Sequence, residues 1–339
     1  MLAKTGVLLI QLGTPDSPSV PDVRKYLREF LSDERVIDIS WLARTLLVNL
    51  IIAPFRAPKS AKIYKQLWTE NGSPLLYYSE NFQKKLQKVI GGDFEIELAM
   101  RYQSPSMESV LERMRKKNYH RIIILPLFPQ YASATNGSAI DKAMKIIRNW
   151  WVIPDIKIIS QFFDDEGYIN CFVENAKKYN IEEYDHILFS YHGLPERQVD
   201  KVYDDGKPCS DHNCENEITE DNKFCYKATC YATTRALAVK LNIPTEKYTV
   251  CFQSRLDNKW LKPFADKTVI EKAKEGAKKL LVFSPAFVAD CLETTIEIGH
   301  EYQQLFVENG GKKVQLVESL NDSDSWVEAA KSLIIAKSN

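Results

Sequence analysis

The sequence predicts an α/β protein made of two similar doubly wound, Rossmann-like domains, each with a parallel sheet, and a cleft between them. Three observations predict it. Short apolar strands alternate with helical segments along the 339 residues. The second half repeats the first: Ile187–Pro195 has the layout of Val7–Pro15, a strand stopped by a Gly-containing turn and closed by Pro, and Lys279–Pro285 with Phe287 matches Ile122–Pro126 with Phe128. The chain is also longer than one ordinary domain, and its 45% apolar content can fill two cores. The expected division sets residues 1–165, with an apolar stretch at about 36–58, against residues 166–321, with a cysteine insertion at 203–231. The C-terminal helix 322–339 is a candidate addition to the first domain.

Taken in order, Val7–Leu12 is an apolar strand ending in Gly13-Thr14-Pro15. Asp22–Phe30 places Val23, Tyr26, Leu27 and Phe30 on one side of a helix. From Val36 to Pro58 the residues Trp41, Leu42, Leu46, Leu47, Leu50, Ile51, Ile52 and Phe55 crowd around Arg44 and Arg56. This stretch reads equally as a core helix or as an apolar lip that greets a flat hydrophobic ligand or a membrane. Glu95–Met100, Arg121–Leu127 and Ile156–Ile159 read as strands, and Ser106–Lys117 and Tyr168–Lys178 as helices. Ile187–Ser190 is a strand buried on both faces; its run stops on His192, and Gly193 and Pro195 turn the chain. Ligands of open parallel sheets bind outside the carboxyl ends of the strands. His192 is thereby placed at a cleft, where an imidazole can take a proton or bind a metal. A hydrogen-bonded structural histidine is the competing reading of that residue alone.

After the strand Leu280–Phe283, Asp290, Glu293, Glu297 and Glu301 recur at spacings of three, four and four, which puts four carboxylates on one helical face. Such spacing of like charges destabilises a helix, and no lysine lies between Lys279 and Lys312 to relieve it. The ladder reads as a route for protons or cations, with Glu293 as partner to His192.

Lys+Arg and Asp+Glu are both 45, so no global basic field recruits nucleic acid, and no G-x-G-x-x-G follows a strand. The opening residues lack the layout of a signal peptide. The longest apolar run, Leu46–Pro54, is far too short for a bilayer. A cytoplasmic protein is expected, its seven cysteines thiols or metal ligands rather than disulfides. Cys209, Cys214, Cys225 and Cys230 fall within 22 positions of a polar loop that has little core of its own, for which a metal is a natural staple. The open readings are a four-thiolate zinc site in which His212 could replace one thiolate, a [2Fe–2S] cluster, or four unligated thiols. Cys171, Cys251 and Cys291 stand alone and read as small buried residues.

Ser190-Tyr191-His192-Gly193-Leu194-Pro195 resembles the His motif of ferrochelatases. Phe252-Gln253-Ser254-Arg255, Trp260-Leu261, Asp290-Cys291-Leu292-Glu293-Thr294, Leu125–Tyr131 and Leu12-Gly13-Thr14-Pro15 resemble the other signatures, all in that family's order. The resemblance implies a chelatase-like fold and a lyase-type enzyme that inserts Fe²⁺ into protoporphyrin IX, giving protohaem and two protons at the last step of haem biosynthesis. It assigns His192 and Glu293 to the metal and proton work, with Asp290, Glu297 and Glu301 along the proton or metal path. Arg56, Tyr64, Ser73, Arg101, Tyr102 and Trp260 match pocket residues, the polar ones suited to propionates and Tyr102 to the ring face. The resemblance also favours a [2Fe–2S] cluster over Zn²⁺ on the internal cysteines. As partners it implies porphyrin and Fe²⁺, with peripheral contact to the inner membrane face or to another haem-pathway enzyme. Two positions depart from the pattern: Cys291 stands where many relatives have His, and Leu12 where coproporphyrin-using relatives usually carry Tyr. A chelatase for coproporphyrin III, cobalt or nickel, or a non-catalytic haem or metal carrier, is the alternative.

Overall fold

The computed structural model describes residues 4–338. Met1, Leu2 and Ala3, at the start of the segment read for a leader, and Asn339, at the end of the predicted C-terminal helix, lie outside them. The chain divides into two compact units. One joins everything up to Phe128 with Ser133–Gln161 and the segment from Asn321 onward; the other holds Pro129–Ala132 and Phe162–Leu320.

The first unit is built on β1 (Thr5–Gly13), β2 (Phe94–Tyr102), β3 (Arg121–Pro126) and β4 (Asp155–Ile158), all parallel, in the order β2-β1-β3-β4. The second is built on β5 (His186–His192), β6 (Tyr248–Gln253), β7 (Lys279–Phe283) and β8 (Lys313–Leu316), in the order β6-β5-β7-β8. The two orders are the same wiring, so the repeat read from the sequence is a structural one: β5 takes the place of β1 and β7 that of β3. Two of its strands, β6 and β8, are additions to the expected set. Central strands are apolar throughout because helices cover both faces; Val7–Ile10 and Leu280–Phe283 are fully buried.

In the first unit the helix Val20–Leu31 starts where Ser19 accepts the amide of Asp22, and it buries Val23, Tyr26, Leu27 and Leu31. Gly13 ends β1 at φ +111°, where a Cβ would meet the Tyr102 carbonyl oxygen at 2.0 Å; only glycine fits there. The apolar stretch resolves as a lip. Trp41 and Phe55 are 70% and 77% exposed, with Leu42, Leu46, Leu50 and Ile51 also exposed. Val48, Ala53 and Ala57 face inward beneath them, and buried Arg44 holds the underside by donating to the Ile37 and Ile39 carbonyls at 3.1 and 2.8 Å. Part of the lip, Leu47–Ile52, is a π-helix. The C-terminal helix Asp324–Ser338 closes this unit by stacking Trp326 on Phe82, centroids 5.4 Å apart and planes at 12°. Among the described residues, no helix is long and apolar enough to cross a membrane.

In the second unit His186 opens β5, buried, its Nε2 2.8 Å from Thr249 Oγ1. Burial, then nearby Lys272, depress its pKa to about 4. The unfolded chain takes up this proton near pH 6.5, which the folded chain refuses until about 4, so stability is complete above that window and falls as pH drops through it. We expect wild type to lose about 2 kcal/mol more than His186→Gln between about pH 7 and pH 4.5. Urea midpoints of the two proteins at both pH values check this, and parallel losses would refute it.

Candidate active site

His192 is the last residue of β5, half-buried, at the strand end where the parallel order changes direction between β5 and its two neighbours. Its Nδ1 lies 2.6 Å from the Gly193 carbonyl oxygen. A carbonyl only accepts, so Nδ1 carries the proton and Nε2 presents a lone pair. The peptide between His192 and Gly193 is held at both ends. The Gly193 amide donates to the Gln253 carbonyl at 2.7 Å, and the Tyr226 hydroxyl donates to the His192 carbonyl at 3.0 Å. A Cβ on Gly193 would come within 2.8 Å of the Gln253 oxygen and 3.2 Å of the Trp260 ring. Trp260 and Phe287 flank the imidazole with centroids 6.4 Å away in each case. Trp260 is anchored by the Leu261 amide, which donates to Leu194 O at 2.9 Å.

The acidic segment is not the α-helix its spacing suggests but an eleven-residue π-helix, Leu292–Tyr302. Residues four apart still fall on nearly the same side of this wider coil, so Glu293, Glu297 and Glu301 keep a common face, while Asp290 precedes it. Most π-helices are single turns and mark functional sites. A bond at π spacing braces this one: the Tyr302 hydroxyl donates to Glu297 Oε1 at 3.0 Å, five residues apart. Glu297 also receives the Ser254 amide at 2.9 Å, the Ser254 hydroxyl at 2.5 Å and Gln253 Nε2 at 3.0 Å. Ser254 reaches it from φ +60°, a costly conformation for a residue with a side chain. Gln253 Nε2 further donates to the Glu293 carbonyl at 2.8 Å, and Ser190 Oγ donates to Gln253 Oε1 at 2.7 Å. Gln253 is the register partner of His192, so one buried amide links the His strand to the acidic helix. Gln253 and Ser254 stand in a quoted motif, but nothing in the sequence marks their partners.

Burial, and then the charge of Glu297, raise the pKa of Glu301. Cys291 is buried; burial, then the Glu293 charge and a hydrogen bond to Glu293, push its thiol well up. In the absence of a metal Cys291 therefore stays a protonated thiol beside Glu293.

The expected pocket residues of the first unit are placed variously. Arg56 is exposed on the helix Ala53–Leu67, and half-buried Tyr64 on the same helix sets its ring edge-on to Tyr26 and Trp68. Ser73 caps the start of helix Pro74–Ile90, buried, its hydroxyl without a partner among the described residues. Tyr102 corrects the expectation of an open ring face. It is fully buried, packed edge-on to Phe30 and under the Arg101 guanidinium, and its hydroxyl donates to Asp33 at 2.9 Å. Arg101 donates to the same carboxylate at 2.5 Å. Burial raises the pKa of Asp33, but hydrogen bonds from Ser138 and the Arg35 amide, with the Arg101 charge, more than offset it and hold the group low.

Three of the four insertion cysteines converge. The sulfurs of Cys209, Cys214 and Cys225 lie within 4.8 Å of one another and all three residues are buried. Hydrogen bonds from Cys209 and Cys214 hold the Cys225 thiol far below its usual range, while contacts with Cys214 and then Cys225 push the Cys209 thiol up. Cys230 stands apart from this group, inside the helix Tyr226–Lys240 and against Tyr226. That helix begins at Tyr226, inside the stretch read as a polar loop, which makes Cys225 its N-cap: the Thr229 amide donates to the Cys225 carbonyl at 3.0 Å. The residue after Cys225, Tyr226, donates its hydroxyl to the His192 carbonyl. His212 stacks on Tyr203 at 3.7 Å and lies outside the group.

The fold is similar to that of SirB from Bacillus subtilis solved with Fe³⁺ (TM-score 0.56, 12% identity, 98% of this chain and 95% of that one). It is also similar to the sirohydrochlorin chelatase SirB of B. subtilis subspecies spizizenii in complex with cobalt (TM-score 0.52, 12% identity, 96% and 92%). In sequence, the chain is 44% identical over 329 residues to a ferrochelatase of Coxiella burnetii (strain CbuK_Q154), covering 96% of this chain and 92% of that protein. It is 43% identical over 332 residues to a ferrochelatase of Legionella pneumophila (strain Lens), covering 98% of each. The Ferrochelatase family profile runs over residues 4–338, which takes in both sheets, the His192 turn and the acidic π-helix: the chain belongs to the ferrochelatase family.

Proposed function

We propose that this protein inserts Fe²⁺ into protoporphyrin IX, forming protohaem and releasing two protons. The observation that carries this reading is that Gln253, the register partner of His192, donates to the Glu293 carbonyl and so ties the strand end bearing His192 to the π-helix bearing Glu293. Metal insertion needs acceptors for two pyrrole protons and a donor for incoming iron. A neutral imidazole and a carboxylate supply both. Glu297, with four protein donors already on it, is held in place on the acidic face. Glu301, its pKa raised, takes up and passes on protons, and Asp290 lies at the near end of the path. Trp260 walls the ring beside His192, Arg56, Arg101, Tyr64 and Ser73 serve the porphyrin carboxylates, and Tyr102 supports Arg101 from below. Leu12 favours protoporphyrin over coproporphyrin. The exposed lip gives a greasy substrate its entry and a cytoplasmic protein a peripheral hold on the inner membrane face or on a neighbouring haem-pathway enzyme.

Anaerobic absorbance of the purified protein with Fe²⁺ and protoporphyrin tests the reading. Catalytic conversion, many equivalents per chain, is expected; stoichiometric binding alone would make the protein a carrier.

The three convergent thiols fit a metal centre with one further donor, as in a zinc site. A [2Fe–2S] cluster takes four thiolates, and Cys230 as placed does not join the other three, so the structure fits the cluster less well than the sequence does. We expect anaerobically prepared protein to hold near one centre per chain, brown with acid-labile sulfide if iron, colourless if zinc. Cys214→Ser should lose it and lower the melting temperature by several degrees, because the loop gains from the metal the order it cannot gain from burial. Metal analysis showing neither iron with sulfide nor zinc would remove the centre from the account.

A further inference from the structure

Tyr226 joins two features that the sequence keeps apart. It follows Cys225, one of the three clustered thiols and the N-cap of its helix. Its hydroxyl donates to the His192 carbonyl at 3.0 Å, and the residue is buried. That carbonyl belongs to the peptide whose other end, the Gly193 amide, is fixed on Gln253 O at 2.7 Å. The imidazole is in turn oriented by the next carbonyl along, that of Gly193, at 2.6 Å from Nδ1. Rotation of the 192–193 peptide that displaces the Gly193 Cα would carry this acceptor, which belongs to the next peptide, and swing the ring with it. One of the two pins preventing rotation is thus attached to a β-strand, and the other to the first helical residue after a thiol ligand.

We infer that Tyr226 is a positioning residue for His192, transmitting the state of the Cys209/Cys214/Cys225 site to the imidazole through the His192 carbonyl. Whatever holds the three thiols together fixes Cys225 and the start of the helix Tyr226–Lys240, and so fixes the hydroxyl. When the thiols part, the helix start is released and the carbonyl loses its donor. The inference rests on the proposed function for its catalytic consequence, but not for the mechanical one. Groups that orient a ligand histidine from behind typically contribute ten- to a hundredfold to activity or metal affinity.

The test uses the full-length protein as purified and Tyr226→Phe, which keeps the ring in place and removes one oxygen. Expected are a kcat of metal insertion lowered about tenfold, an unchanged KM for porphyrin, unchanged metal content and a melting temperature near wild type. Histidine labelled with ¹⁵N supplies a readout independent of turnover. With five histidines in the chain, the His192 ring signal is assigned by its loss in His192→Ala. Cys214→Ser should shift that signal in the wild-type background and leave it unmoved in the Tyr226→Phe background. A signal that Cys214→Ser moves equally in both backgrounds, or in neither, overturns the inference, as does Tyr226→Phe with wild-type kcat and an unshifted signal. Wild-type protein that inserts no metal would bring down the proposed function, and the NMR arms would still decide whether Tyr226 couples the thiols to His192.

Discussion

His192→Ala is expected to fold normally and to insert essentially no metal. The fold should survive because what ties this turn into the structure is backbone: the Gly193 amide on Gln253 and the Tyr226 hydroxyl on the His192 carbonyl are both indifferent to the side chain. The imidazole packs loosely, with Trp260 and Phe287 centred 6.4 Å away. Its removal takes away the imidazole presented at this strand end, and a positioned acid–base group contributes typically 10²–10⁴-fold. Water in the space left behind lacks both the basicity and the fixed direction of Nε2. Initial rates of Fe²⁺ insertion, with circular dichroism and a thermal melt on the same preparation, measure this. A folded His192→Ala protein turning over at near the wild-type rate would end the assignment.

Glu293→Gln is expected to lower turnover about a hundredfold while porphyrin still binds. The amide is isosteric, Gln253 Nε2 keeps its bond to the residue 293 carbonyl, and the Cys291 thiol keeps an oxygen acceptor. The charge is lost, and with it the group that can take a proton beside His192 or hold a divalent metal. Porphyrin affinity from fluorescence quenching, set against steady-state rates, separates the roles. Lost affinity with unchanged turnover per bound substrate would make Glu293 a binding residue only.

The sequence carries the architecture and the chemical pair because both depend on local signals. An apolar run ended by a histidine and a glycine marks a central strand and its ligand end, and the repetition of that run at Val7–Pro15 marks the second sheet. What it hides depends on the third dimension. The carboxylate spacing of four suits α and π coils alike, and the Tyr302–Glu297 brace becomes visible only once the wider turn is formed. The edge strand Lys313–Leu316 alternates Lys313 and Gln315 with apolar residues and is only four long, so it has no run to detect. The helix start at Tyr226 is masked because cysteine and threonine at 225, 229 and 230 are weak helix formers, which is why Cys230 reads as a loop ligand. Tyr102 misleads for a related reason: a motif position names a residue but not the Asp33 that draws its hydroxyl inward.

The way the chain is shared between the units has a bearing on synthesis. The second unit is complete once Leu320 has been made, since its segment Phe162–Leu320 needs only the earlier Pro129–Ala132. The first unit, most of which is translated earlier, must wait for the final helix to bring Trp326 onto Phe82. Domains generally fold as units in the order of their emergence from the ribosome; here that order is reversed, and the half that is begun first is finished last. Until Trp326 has been made the Phe82 surface lacks its cover, and a chain cut between Leu320 and Trp326 has a whole His192 half and an unfinished lip-bearing half.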